Sequence, residues 1–168
     1  MPSLQWSEAL SLNLPIMDET HEEFVEMLGT VEDAPEDQLL NLWYHLIEHT
    51  RAHFSREDDW MVRTHFSSCH CHTGQHHVVL KVMEEIGLRA AKGELHLIKD
   101  LSKELGQWFS QHAQSMDAAL ALHMRRVGYD PETGIIHNPE QIAESNSEGC
   151  GVHAEPAAKA TEEEAVAA

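Results

Sequence analysis

Basic residues are scarce in this chain of 168 residues. Eleven Lys and Arg face 29 Asp and Glu, for a net charge of −18. Nothing here would neutralise a phosphate backbone, so nucleic acid is excluded as a partner, and so is a polybasic membrane anchor. Long apolar runs are also missing, so no segment is expected to span a bilayer. The start, Met1-Pro2-Ser3-Leu4-Gln5-Trp6, has neither the basic head nor the apolar centre of a signal peptide, and a cytoplasmic location is expected. Cysteine is limited to Cys69, Cys71 and Cys150, an odd number that builds no disulfide framework and suits a reducing compartment. Aromatic residues make up only 6%. What is plentiful is histidine, with 14 residues. Histidine is the commonest protein metal ligand, but a His-rich chain is equally a chain with many surface histidines. Position has to decide between the two.

Apolar residues recur at helical spacing through most of the chain. Residues 1–17 read as an extended arm, with Pro15 arguing against a helix through it and Asp18 as the N-cap of the first helix. Helices are expected over about 18–31, 35–65, 68–91 and 94–127, with short connections. The fold class is therefore all-α, an up-down-up-down four-helix bundle over residues 1–128. Residues 129–168 read as an irregular, acidic and Ala-rich tail, mobile or loosely docked. One domain is expected.

Polar residues interrupt the apolar stripe of every helix. His53 and Glu57 stand four apart and share a face, as do His72 and His76. His21 lies on the first stripe. His112 lies on the last, with Asp117 five residues further on. Five imidazoles and two carboxylates thus point inward, which is costly without a partner; a metal centre is the simplest one. A lone His-x-x-x-His would be weak support, because His45, His49 and His53 repeat the same spacing. Coincidence with the stripe on all four helices carries the argument. Seven ligands exceed one tetrahedral zinc site, and two ions sharing the carboxylates fit better. Imidazole with carboxylate suits iron without excluding zinc, manganese or nickel. The Glu-x-x-His motif of ferritin-like di-iron bundles does not occur anywhere in the chain. Five residues of regular α-helix would place His112 and Asp117 on different faces, so a π-bulge between them is expected.

These residues carry a resemblance. Asp18-Glu-Thr-His21, His53-Phe-Ser-Arg-Glu57, His72-Thr-Gly-Gln-His76 and Trp108-Phe-Ser-Gln-His112-Ala-Gln-Ser-Met-Asp117 resemble the pattern of bacterial hemerythrins over about residues 6–125. The resemblance implies two iron ions with an oxo or hydroxo bridge. One would take His72, His76 and His112, the other His21 and His53, with Glu57 and Asp117 bridging. It implies an open position on the second iron, where dioxygen binds as peroxide and takes its proton from the bridge. Leu28, Phe54, Trp108 and Phe109 are the expected pocket residues, although ordinary core packing explains any one of them. Family members often carry Glu where this chain has Gln75, a departure that removes a charge but no ligand.

Cys69 and Cys71 are expected as inert residues at a helix start. His45, His49, His65, His70, His77, His96, His123, His137 and His153 are expected at the surface or behind the ligands. The expected function is reversible dioxygen binding as a carrier, store or delivery protein, in a monomer and without enzymatic activity. The alternatives are a di-iron oxidase, peroxidase or NO-handling protein, and, third, iron storage or detoxification.

Overall fold

A computed structural model describes residues 2–142. Cys150, His153 and the Glu162-Glu163-Glu164 run lie outside the described residues, as does the tail from residue 143 onward.

The chain forms α1 (Pro15–Asp33), α2 (Glu36–Arg63), α3 (Cys69–Ala90), α4 (His96–His112) and α5 (Ala118–Val127). A π-helical turn, Ala113–Asp117, joins α4 to α5 into one long rod. Each of the first three helices packs on the next, and α4 closes back onto α1. Connections of a few residues force neighbours to run antiparallel, so the expected four-helix bundle is what forms. Among the described residues there is no strand, only an isolated bridge between Tyr129 and Ile136.

The apolar interior is split in two. One core gathers Phe24, Leu28, Leu39, Trp43, Leu46, Met83, Ile98, Leu105 and Phe109. The other gathers Met17, Trp60, Met61, Leu120, Met124, Val127 and Tyr129. Along α1, α2 and the α4–α5 rod, the inward polar residues fall between these two groups. The bundle is thus two apolar plugs with a polar layer between them.

Several boundaries differ from the sequence-based expectation. The first helix begins at Pro15 rather than Asp18. Proline stands at the first helical position, where its missing N–H leaves no bond unmade. Asp18 is therefore no N-cap. Its carboxylate accepts hydrogen bonds from the Leu12 N–H at 2.7 Å and the Ser11 hydroxyl at 2.8 Å, and so holds the arm. The arm is not fully extended, because Glu8–Leu10 form a 3-10 turn. It lies so close to α4 that a Cβ on Gly106 would stand 2.6 Å from Ser3 Oγ. The second helix stops at Arg63, two residues early. His65 takes a left-handed backbone (φ 52°), and the Phe66 N–H turns back to the Met61 carbonyl at 2.9 Å. Residues 129–142 are packed against the bundle. Tyr129 is buried, Ile136 and Ile142 lie on the second core, and the Asn138 N–H bonds the Val127 carbonyl at 2.9 Å.

Candidate metal centre

All seven sequence-predicted residues are buried and meet in the polar layer. His21, Glu57 and Asp117 are fully buried, and His53, His72, His76 and His112 nearly so. α1 supplies His21, α2 supplies His53 and Glu57, and α3 supplies His72 and His76. The rod supplies His112 and Asp117. The π-helical turn between those last two is the expected distortion. It widens the turn so that residues five apart share a face, and His112 Nε2 comes to 3.1 Å from Asp117 Oδ1.

The donors form two groups that share the acids. Asp117 Oδ1 lies 2.9 Å from His72 Nε2, and Glu57 Oε2 lies 3.2 Å from His76 Nε2. The other oxygens face the opposite way. Glu57 Oε1 is 3.0 Å from His53 Nε2, and Asp117 Oδ2 is 3.3 Å from His21 Nε2. Each carboxylate therefore offers one oxygen to the three-histidine half and one to the two-histidine half. Such a set could hold two adjacent cations with the acids shared between them.

The donor chemistry fits cations. His112 Nε2 stands 3.1 Å from His72 Nε2 and 3.2 Å from His76 Nε2. Three ring nitrogens with lone pairs converging at this distance repel unless something positive lies among them. His21 Nδ1 and Nε2, Glu57 Oε2 and both Asp117 oxygens are buried without a hydrogen-bond partner, and such atoms cost about 1–3 kcal/mol each when left so. Two donors bound at right angles about 2.1 Å from an ion stand roughly 3.0 Å apart. The shorter separations lie near that value, while His72 Nε2 to Glu57 Oε2 at 3.7 Å and His21 Nε2 to Glu57 Oε1 at 3.8 Å lie beyond it.

Protons compete for the same positions. Burial lowers the pKa of His21 and of His76, but acidic partners outweigh it and bring both up to about 9. The partners are Asp117 and Glu57 for His21, and Asp58 and Glu57 for His76. Burial would raise the Glu57 carboxyl, yet the charge of His53 and the close imidazoles of His21, His53 and His76 hold it well below the ordinary carboxylate range. Asp117 is lowered likewise, against burial and the nearby Glu57 charge, by the imidazoles of His112, His21 and His72 close to its oxygens.

A family model described as the hemerythrin HHE cation binding domain matches residues 13–121. The chain belongs to the hemerythrin family. Among its relatives, a bacteriohemerythrin of Ralstonia nicotianae is 38% identical over 130 residues, which cover 77% of this chain and 95% of that protein. Bacteriohemerythrins of Stenotrophomonas maltophilia and Pseudomonas paraeruginosa are each 23% identical. They cover 80% and 89% of this chain, and 92% of each relative.

The expected pocket residues divide between the two halves of the hemerythrin site. Phe54 stacks on His76 with ring centres 4.0 Å apart, and Trp108 stacks on His112 at 4.5 Å. Both thus flank the three-histidine half, although Phe54 also lies 5.5 Å from His53. Phe109 stands edge-on to His21 at 5.1 Å, and Leu28 is buried in the same core. Sequence reasoning missed Phe24, which stacks on Phe109 at 4.6 Å, although its place three residues after His21 on the same stripe pointed to it. It also missed the acceptors behind the ligands. Asp58 Oδ1 takes the His76 Nδ1–H at 3.1 Å, and Gln75 Oε1 takes that of His112 at 3.2 Å. Among the remaining histidines, His123 departs from expectation. It is buried in the second core region, not at the surface or behind a ligand, and bonds the Thr64 carbonyl at 2.9 Å. Cys69 is half-buried at the start of α3, and Cys71 is exposed.

Proposed function

We propose that the chain binds dioxygen reversibly at a pair of iron ions held by His21, His53, Glu57, His72, His76, His112 and Asp117. The carrying observation is the division of each acid's two oxygens between a three-histidine and a two-histidine half. Two iron ions there would supply the two electrons that reversible dioxygen binding needs. The chain's own residues do the rest. Glu57 and Asp117 hold the halves at fixed separation, and their charges offset part of the ions' charge. With fewer protein donors, the two-histidine half is the one with room for a small ligand.

Phe109 edge-on to His21, Phe24 behind it and buried Leu28 surround that half with apolar groups. Such a wall excludes water and offers no acid to carry a reduced oxygen species onward. That favours binding over oxidase or peroxidase turnover.

The test is optical. The iron-loaded protein is reduced, exposed to oxygen and then purged. A visible band that forms and disappears over repeated cycles, with two irons per chain, is the expected result. Bleaching with hydrogen peroxide release would assign an oxidase instead. Uptake of many irons per chain would assign storage.

A further inference from the structure

The two halves are not equally prepared. In the three-histidine half, two of the three imidazoles are gripped from behind. The Asp58 carboxylate accepts the His76 Nδ1–H at 3.1 Å and is itself fixed by the Thr73 hydroxyl at 2.7 Å. The Gln75 amide oxygen accepts the His112 Nδ1–H at 3.2 Å. A proton held on Nδ1 leaves the Nε2 lone pair free and aimed inward. The same two rings are pressed from the face by Phe54 and Trp108. Tautomer and ring plane are thus both set in advance. In the two-histidine half, Nδ1 of His21 and of His53 is buried with no acceptor. Donor number points the same way. Three imidazoles with one oxygen from each acid converge on one side, against two imidazoles with the acids' other oxygens on the other.

Resting on the two-ion reading above, we propose that Asp58 and Gln75 are positioning residues that make the three-histidine half the tight half. One divalent ion fills it before the two-histidine half takes a second. A pre-set ligand loses less freedom on binding, and removing an acceptor behind a ligand histidine typically lowers metal affinity about 10–100-fold. Neither residue touches the ion, so each acts through its histidine. Asp58 and Gln75 are half-buried and exposed respectively, so replacing them leaves the packed core alone.

The full chain, stripped with chelator, is titrated with Co2+ and followed by native mass spectrometry and calorimetry. The wild type is expected to show a one-ion species near one equivalent and a two-ion species only beyond it. Asp58→Ala and Gln75→Ala should each weaken the first step by about 10–100-fold with unchanged far-ultraviolet circular dichroism. Gln75→Glu and Asp58→Asn, which keep an acceptor oxygen, should restore most of it. His21→Ala should hold one ion with the first-step affinity intact. Simultaneous entry of both ions, or a first step unmoved in the alanine variants, overturns the proposal and leaves the two-ion reading standing. Failure of the wild type to take two ions under any loading overturns that reading, and this proposal with it.

Discussion

Removing one residue from the rod formed by α4, the π-helical turn and α5 should have opposite outcomes at two exposed positions. Ser115 lies inside the wide turn, and its hydroxyl bonds the Gln111 carbonyl at 2.7 Å. Deleting it turns five residues into four, and residues four apart share one face of an ordinary α-helix. His112 and the acid that is now Asp117 stay together, and α5 keeps its buried face. Lys103 is equally exposed but lies in regular helix. Its deletion turns the flanking segments by 100° relative to each other. At about 5 Å from the axis, that swings a side chain by roughly 8 Å. The contacts at stake are 3.1–3.2 Å between His112 and its partners, so the swing is large enough to empty one half of the centre. If the rod instead keeps its His112 end in place, Ile98 and Leu101 turn toward solvent, at about 1.5–3 kcal/mol each. Metal stoichiometry and thermal unfolding of the two deletions, measured side by side, decide the matter. Two ions and near-native stability are expected without Ser115, and fewer ions or a loss of a few kcal/mol without Lys103. If the Ser115 deletion loses its metal, or the Lys103 deletion keeps both ions at full stability, the register argument is wrong.

Phe109→Ala should destabilise the protein by about 3–5 kcal/mol, because the ring is fully buried, and should shorten the lifetime of the oxygenated spectrum by admitting water beside His21. An unchanged lifetime would show that the ring only packs. In chelator-treated protein, His21 and His76 titrate near 9 against an ordinary 6.5. Folded pKa values raised in this way contribute stability that is complete below pH 6.5 and disappears as pH climbs through 9. Melting temperature should therefore fall from pH 7 to 9.5, and a rise over that range would contradict the assignment. Gly106→Leu should push Ser3 and Leu4 off α4 and expose the arm to limited proteolysis, with a loss of about 1–3 kcal/mol; an equally resistant arm would mean it rests elsewhere.

The buried polar set was legible because His53 with Glu57 and His72 with His76 stand four apart, and His21 and His112 fall on apolar stripes, so each helix announced its own inward residues. The wide turn was legible for the same reason, since five residues cannot bring His112 and Asp117 to one face otherwise. What stayed hidden depends on registry between helices. Asp58 sits beside Glu57 in sequence and looks like a surface acid, and only the placement of α3 shows that it meets His76. Gln75 meets His112 across the α3–α4 seam. Pro15 was read as a breaker although the first helical position has no use for its N–H. Residues 129–142 carry too few large side chains to signal packing, yet Tyr129 is buried in the second core with Trp60 and Met61 of α2 and Met124 and Val127 of α5.

The division of the interior into two plugs has a consequence for variation. Trp43 and Met83 belong to one apolar group, while Trp60 and Met124 belong to the other, with a belt of imidazoles and acids standing between them. Substitutions at opposite ends share no neighbour, so their effects should sum. Either end is free to be refilled with different side chains while the other stays as it is. Freedom to drift thus lies at the two poles, and constraint is gathered at the equator.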